Sequence, residues 1–305
     1  MTESSLQSQS SHLKPKFKIE PTVFLRRLVW KLAIATLFLM AVGSATRVMN
    51  AGLACPDWPL CYGQLVPASQ MNLQVFLEWF HRLDAALIGT GAIALVGLSW
   101  WWRKQFPIWL PYASSFALFL IVFQGILGGL TVTQLLRFDI VTAHLGTALL
   151  FFTTLVAIGT SLLPIKPTGV ANKLAQFGLV ATLLVYLQSI LGGLVASRWA
   201  LHQCFAGSQL CSVMNGHIIG VFPPTLVTLF LVWRAWHTPA LPVNLRHLTT
   251  IAALLVAGQI MLGIATYKLH LQVEILTVTH QLIGASLLGV LVAFTVLAKR
   301  DAAFK

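Results

Sequence analysis

The chain has 305 residues, 57% of them apolar and only 9% charged, with a formal net charge of +12 at pH 7. A soluble domain carries roughly 25% charged residues, so this composition excludes a surface turned wholly to water and calls for a chain embedded in a bilayer. The basic excess does not indicate nucleic acid, because it is parcelled out among short loops between apolar runs, where it acts as a topology signal.

Residues 1–27 are expected to form a polar cytoplasmic tail, of which 1–20 (MTESSLQSQSSHLKPKFKIE) are expected to be disordered, without a cleavable signal peptide. Apolar runs long enough to cross a bilayer, about 20 residues each, then follow at approximately 28–46, 76–101, 111–132, 140–163, 174–196, 213–233, 248–267 and 274–297. The fold class is therefore an all-α membrane protein of eight transmembrane helices. After the first helix comes a loop holding Arg47, Cys55 and Cys61. A disulfide there would be a local staple worth about 2–3 kcal/mol, and a redox-active pair is the alternative. The second helix opens with EWFHR, which places Glu78, His81 and Arg82 on one helical face at i, i+3 and i+4. A Glu78–Arg82 ion pair at the membrane interface is the bland account of those charges.

The third helix carries QGILGGLT from Gln124, and the fourth carries His144. A cytoplasmic linker spans 164–173. The fifth helix carries QSILGGLV from Gln188 and is followed by a loop with Cys204 and Cys211, a second candidate disulfide. The sixth helix holds His217, the seventh holds QIMLGIAT from Gln259, and the eighth holds His280 before a short tail, 299–305. Neither cysteine pair forms CxxCH, which argues against covalent c-type heme.

Fifteen of the 20 basic residues fall before the first helix, in alternate loops, and after the eighth; Arg47, Arg137, Arg198 and Lys268 fall in the others. The positive-inside rule then puts both termini in the cytoplasm and the cysteine loops outside. Self-comparison is more informative still. His81 and His217 are 136 residues apart, and so are His144 and His280, and the cysteine pairs recur at offsets of 149 and 150. The reading is two parallel-repeat four-helix bundles, 28–163 and 174–298, with their histidines toward the external side.

Two histidines per bundle suit the two axial positions of a heme iron, whereas zinc would want three or four protein ligands. Gly128, Gly129, Gly192, Gly193 and Gly263, with Gly146, Gly220 and Gly284, are read as letting backbone approach a flat macrocycle, or else as small-residue helix packing. His12, His202, His237, His247 and His270 lack the repeated placement. At the 136-residue offset Glu78 becomes Met214 and Arg82 becomes Ile218. An electron-transfer heme needs no carboxylate beside it, whereas proton-moving chemistry does. Glu78, His81 and His144 are thus the candidate catalytic residues, with Arg82 a candidate propionate contact.

The segments NAGLACPDWPLCYGQ, EWFHRLDAALIG, TAHLGTALL, GHIIG and VTHQLIGASLLG resemble those of bacterial heme A synthases, over nearly the whole chain. That resemblance implies an oxidoreductase of the cell (inner or plasma) membrane that oxidises the C8 methyl of heme O to a formyl group by two hydroxylations, giving heme A for cytochrome oxidase. It implies heme b between His217 and His280 and the substrate heme O between His81 and His144. Expected partners are the bilayer, heme O synthase and an unidentified electron acceptor, and no nucleic acid. A diheme b-type electron-transfer protein, or a heme transporter or carrier, would use similar histidines. The first of these predicts like surroundings for both hemes, against which the Glu78/Met214 difference counts.

Overall fold

The computed structural model describes residues 20–171, 173–197 and 212–303. The Cys204–Cys211 pair, His12, His202, Arg198 and most of the amino-terminal tail lie outside these residues.

Eight helices are long and apolar enough to cross a membrane among the described residues: Pro21–Val48, Leu73–Trp101, Trp109–Thr133, Phe138–Ser161, Leu174–Val195, Ser212–Trp236, Val243–Lys268 and Glu274–Ala302. At about 1.5 Å per residue each reaches the roughly 30 Å of a hydrocarbon core. No strand forms among the described residues, where an isolated bridge pairs Cys61 with Gln64.

Local chemistry fixes several ends. Pro21 occupies the first turn of the first helix, where its missing N–H leaves nothing unpaired. Asn72 caps the second, its side chain accepting from Val75 N–H at 3.0 Å. The first, third and seventh helices end alike. Ala51, Leu136 and Leu271 each donate back to a threonine carbonyl (Thr46, Thr131, Thr266) five residues earlier. A residue with positive φ precedes each of these donors (Asn50, Leu135, His270).

Four sequence expectations need correction. The first helix, expected to begin at 28, begins at Pro21, so residues 21–27 are helical and not part of the tail. The sixth helix is not continuous: it consists of Ser212–Gly220 and Phe222–Trp236, interrupted at Val221. Pro223 and Pro224 have no N–H to give to the preceding turn. The eighth helix, expected to end at 297, runs to Ala302. Arg47, assigned to a loop, lies in the last turn of the first helix.

The first helix packs on the second and fourth, and the third on the second and fourth. Likewise the fifth packs on the sixth and eighth, and the seventh on the sixth and eighth. The two sets meet where the first helix touches the eighth and the fourth touches both the fifth and eighth. Lipid tails are as apolar as leucine, so close packing rather than water exclusion must join them. The join is accordingly built of large side chains set against glycine: a Cβ at Gly289 would lie 2.9 Å from the Phe152 ring, and one at Gly146 would lie 2.9 Å from Ile190 Cδ1.

At one rim the chain knots itself. Asp301 accepts from Thr168 N–H at 2.6 Å and Ala171 N–H at 3.0 Å, which fixes the 164–173 linker to the end of the eighth helix. Arg300 donates to the carbonyls of Thr160 (3.0 Å) and Leu163 (2.9 Å), capping the end of the fourth helix.

Candidate functional site

Each odd-numbered helix presents a glycine to the histidine of the next helix. An added Cβ at Gly43 would sit 2.8 Å from His81 Cε1, at Gly128 3.3 Å from His144 Cε1, at Gly192 3.0 Å from His217 Cε1, and at Gly263 3.1 Å from His280 Cε1. These glycines are seats for imidazole rings, so at Gly128, Gly192 and Gly263 the space that the sequence reading gave to a macrocycle is taken by a histidine. The other glycines of that reading meet side chains: Gly129 meets Trp58, Gly146 meets Ile190, Gly193 meets Leu145, Gly220 meets Gln188 and Gly284 meets Gln259. The threonines that stop the first, third and seventh helices lie three residues beyond their seats, so one short segment both ends the helix and positions a ring.

The seats bring the histidines together in two pairs. The His81 and His144 ring centroids are 6.5 Å apart, and those of His217 and His280 are 6.4 Å apart. Metal–imidazole bonds of about 2.0–2.1 Å on either side of one ion would separate two ring centroids by about 6–6.5 Å. Among the described residues no third His, Cys, Asp or Glu joins either pair to make a metal cage. A flat macrocycle, which supplies its own four in-plane donors, therefore fits these pairs better than a bare cation.

Each pair faces a cavity. That of His81 and His144 measures about 510 Å³, and that of His217 and His280 about 370 Å³. Their polar surroundings differ. In the smaller cavity Gln188 Nε2 lies 2.9 Å from His217 Nδ1 and also donates to the His217 carbonyl at 2.7 Å, and Gln259 Nε2 lies 3.2 Å from His280 Nε2. Nδ1 of His81 and His144 in the larger cavity and of His280 in the smaller one are all enclosed without a side-chain partner, as are Gln124 Oε1 and Gln259 Oε1, so His217 alone of the four has a glutamine at Nδ1. Leu39 occupies the first-helix position corresponding to the glutamines, four residues before the seat.

The larger cavity has a carboxylate instead. Glu78 is only 4% exposed; its Oε2 accepts from Cys55 N–H at 2.8 Å, and its Oε1 pairs with Arg82. Arg82 also donates to the carbonyls of Asp57, Leu60 and, at 3.5 Å, Cys55. Cys55 and Cys61 are bonded to each other, their Cα atoms 4.8 Å apart. The Glu78–Arg82 pair is thus not the interfacial ion pair of the sequence reading. It is the buried core of a network that clamps the 51–64 loop over the cavity. Trp58 and Pro59 of that loop line the cavity wall. Asp57 braces the loop from outside, accepting from Tyr62 N–H (2.6 Å) and Gly63 N–H (2.7 Å). The Gly63 bond above all, then that from Tyr62 and the Arg82 charge, holds the Asp57 carboxyl below the usual carboxylate range.

Met214, in the place of Glu78, is buried against the smaller cavity. His237, His247 and His270 line neither cavity. Sequence reasoning missed the glutamines as histidine partners, although their placement four residues before each seat was visible, and it missed Arg47, which borders both cavities.

The family model described as cytochrome oxidase assembly protein, COX15-CtaA, matches residues 26–292. A protein named heme A synthase from Shewanella oneidensis is 34% identical over 203 residues, covering 59% of this chain and 60% of that protein. Proteins of the same name from Azorhizobium caulinodans and Sphingopyxis alaskensis are 27% and 25% identical. They align with 85% and 96% of this chain and with 90% and 96% of their own lengths.

Proposed function

The chain belongs to the COX15-CtaA family of cytochrome oxidase assembly proteins, and from that premise we propose that it oxidises heme O to heme A for cytochrome oxidase. One observation carries the assignment of roles: two histidine pairs of equal spacing, of which only one has a buried carboxylate beside it.

In this reading His81 and His144 hold the substrate, heme O, in the larger cavity, and His217 and His280 hold a resident heme b in the smaller one. A heme held by two imidazoles supplies one-electron transfer. Gln188 at His217 Nδ1 suits a permanent occupant, since a partner of a ligand's second nitrogen fixes its ring and raises metal affinity.

The substrate's methyl group becomes a formyl group through an alcohol and a gem-diol that loses water, a four-electron change at one carbon whose electrons would pass singly through the resident heme to an external electron acceptor. Glu78, paired with Arg82, takes part as a carboxylate, so its role is to accept a proton released at that carbon or from the diol. Arg82 and the Cys55 N–H hold Glu78 in place, and the 51–64 loop with Trp58 covers it from outside water. The helix contacts and the 136-residue offset support two parallel repeats, and the placement of the basic residues supports cytoplasmic termini with the histidines toward the outer face of the cell membrane.

The test is pigment extraction from cells that make heme O, with and without the chain. Heme A is expected only with it, and a chromatogram that still shows heme O alone would defeat the assignment.

A further inference from the structure

Three residues, Arg47, Leu145 and Gln281, line both cavities. Leu145 and Gln281 each follow a pairing histidine and are equivalents at the 136-residue offset. Arg47 lies four residues beyond the Gly43 seat, where the matching residue beyond Gly192 is Ala196. Among the described residues it is the cation that borders both cavities.

That cation lacks an anion. Arg47 Nη2 donates to Gln281 Oε1 at 3.3 Å, and Arg47 Nε is enclosed with no partner. The salt bridges among the described residues are Glu78–Arg82 and Arg137–Asp139. A buried guanidinium with free N–H groups is costly, so its place is explained by an acid that arrives with a guest. Heme carries two propionates, and the planar guanidinium has more than one edge able to take a carboxylate. Arg82, the earlier candidate for a propionate, has donors already committed to Glu78, Cys55, Asp57 and Leu60.

We propose that Arg47, steadied by Gln281, is a shared positioning residue that pairs with a propionate of the guest in each cavity, so that substrate and resident heme meet edge to edge at one guanidinium. This rests on the heme reading of the two histidine pairs. It follows that the sites are coupled: a propionate arriving with heme O draws on the charge that already serves the resident heme.

The experiment measures two quantities on the purified protein, the midpoint potential of the resident heme and the affinity for added heme O by difference spectra. Arg47→Leu removes a positive charge beside a propionate, which favours the oxidised iron. The potential should fall by an amount equivalent to about tenfold in the redox equilibrium, ~59 mV for one electron, and heme O binding should weaken about tenfold or more. Arg47→Lys keeps the charge without the planar fork, so the potential should stay near that of the parent while heme O binding weakens severalfold. Should Arg47→Leu fail to accumulate, Arg47→Lys decides through the binding measurement alone. Unchanged heme O affinity in Arg47→Lys, or an unchanged potential in Arg47→Leu, overturns the proposal. A low-spin spectrum that survives His217→Ala would instead defeat the underlying heme reading, independently of Arg47.

Discussion

The two cavities share one construction and differ in what surrounds their histidines. Both seat imidazoles on glycine and space their rings alike. Around His217 and His280 the neighbours are glutamines and the apolar Met214; around His81 and His144 they are Glu78, Arg82 and a clamped external loop. The difference teaches that ligand geometry belongs to the helix framework, whereas permanence or reactivity belongs to what lies one contact further out. On the proposed reading, two like bundles keep the same grip on a flat guest while one of them adds a carboxylate.

Substituting the ligands breaks the comparison most sharply. His217→Ala or His280→Ala should abolish the resident heme's low-spin spectrum, since bis-imidazole ligation needs both rings. His81→Ala and His144→Ala should leave that spectrum and abolish heme A formation. Difference spectra and extracted pigments separate the two outcomes, and a spectrum lost equally in all four variants would erase the distinction between the sites.

Glu78→Gln asks whether the carboxylate does chemistry. Turnover should fall by about 10²–10⁴, with heme O or an alcohol intermediate accumulating and the resident spectrum unchanged. Met214→Ala should alter only packing. Near-parental heme A yield from Glu78→Gln would reduce Glu78 to an anchor for the Cys55 loop.

A smaller effect is expected from Gln188→Leu, which removes the partner of His217 and should weaken retention of the resident heme by about 10–100-fold. Gln124→Leu in the other half should do far less, because the Gln124 Oε1 has no partner to lose. Heme content after dilution measures both, and equal losses would count against the permanent-versus-transient contrast.

The smallest effect concerns Asp57. Its folded pKa is depressed, so its contribution to loop stability is full above the ordinary aspartate value of about 3.9 and is lost as pH falls through the lower folded value. Asp57→Asn should remove that acid dependence, as read by proteolysis of the 51–64 loop at graded pH.

Much of this was legible in the sequence. Apolar run length located all eight spans to within several residues, and the 136-residue offset alone picked out the four histidines that pair. What escaped was tertiary in origin. The spacing of Glu78 and Arg82 shows an ion pair but not the loop that folds back to bury it. Arg47 reads as a loop residue because apolarity ends near it, although the helix continues two more residues, to Val48, and brings it to the cavity wall. The glycine seats were visible as a pattern, but which side chain fills the space before a missing Cβ depends on the neighbouring helix. Two consecutive prolines marked the break in the sixth helix, and the strength of the surrounding apolar run masked them.

The knot of Asp301, Arg300 and the 164–173 linker lies at the far end of the helices from Arg47. Arg47 is 21 residues along the first helix from Arg26, whose guanidinium reaches the Leu162 carbonyl at that same rim, or roughly 30 Å at about 1.5 Å per residue. The two halves are thus pinned at both ends of their seam, by this knot at one rim and, at the cavity end, by the Arg47–Gln281 bond and by Leu145 filling the space before Gly193.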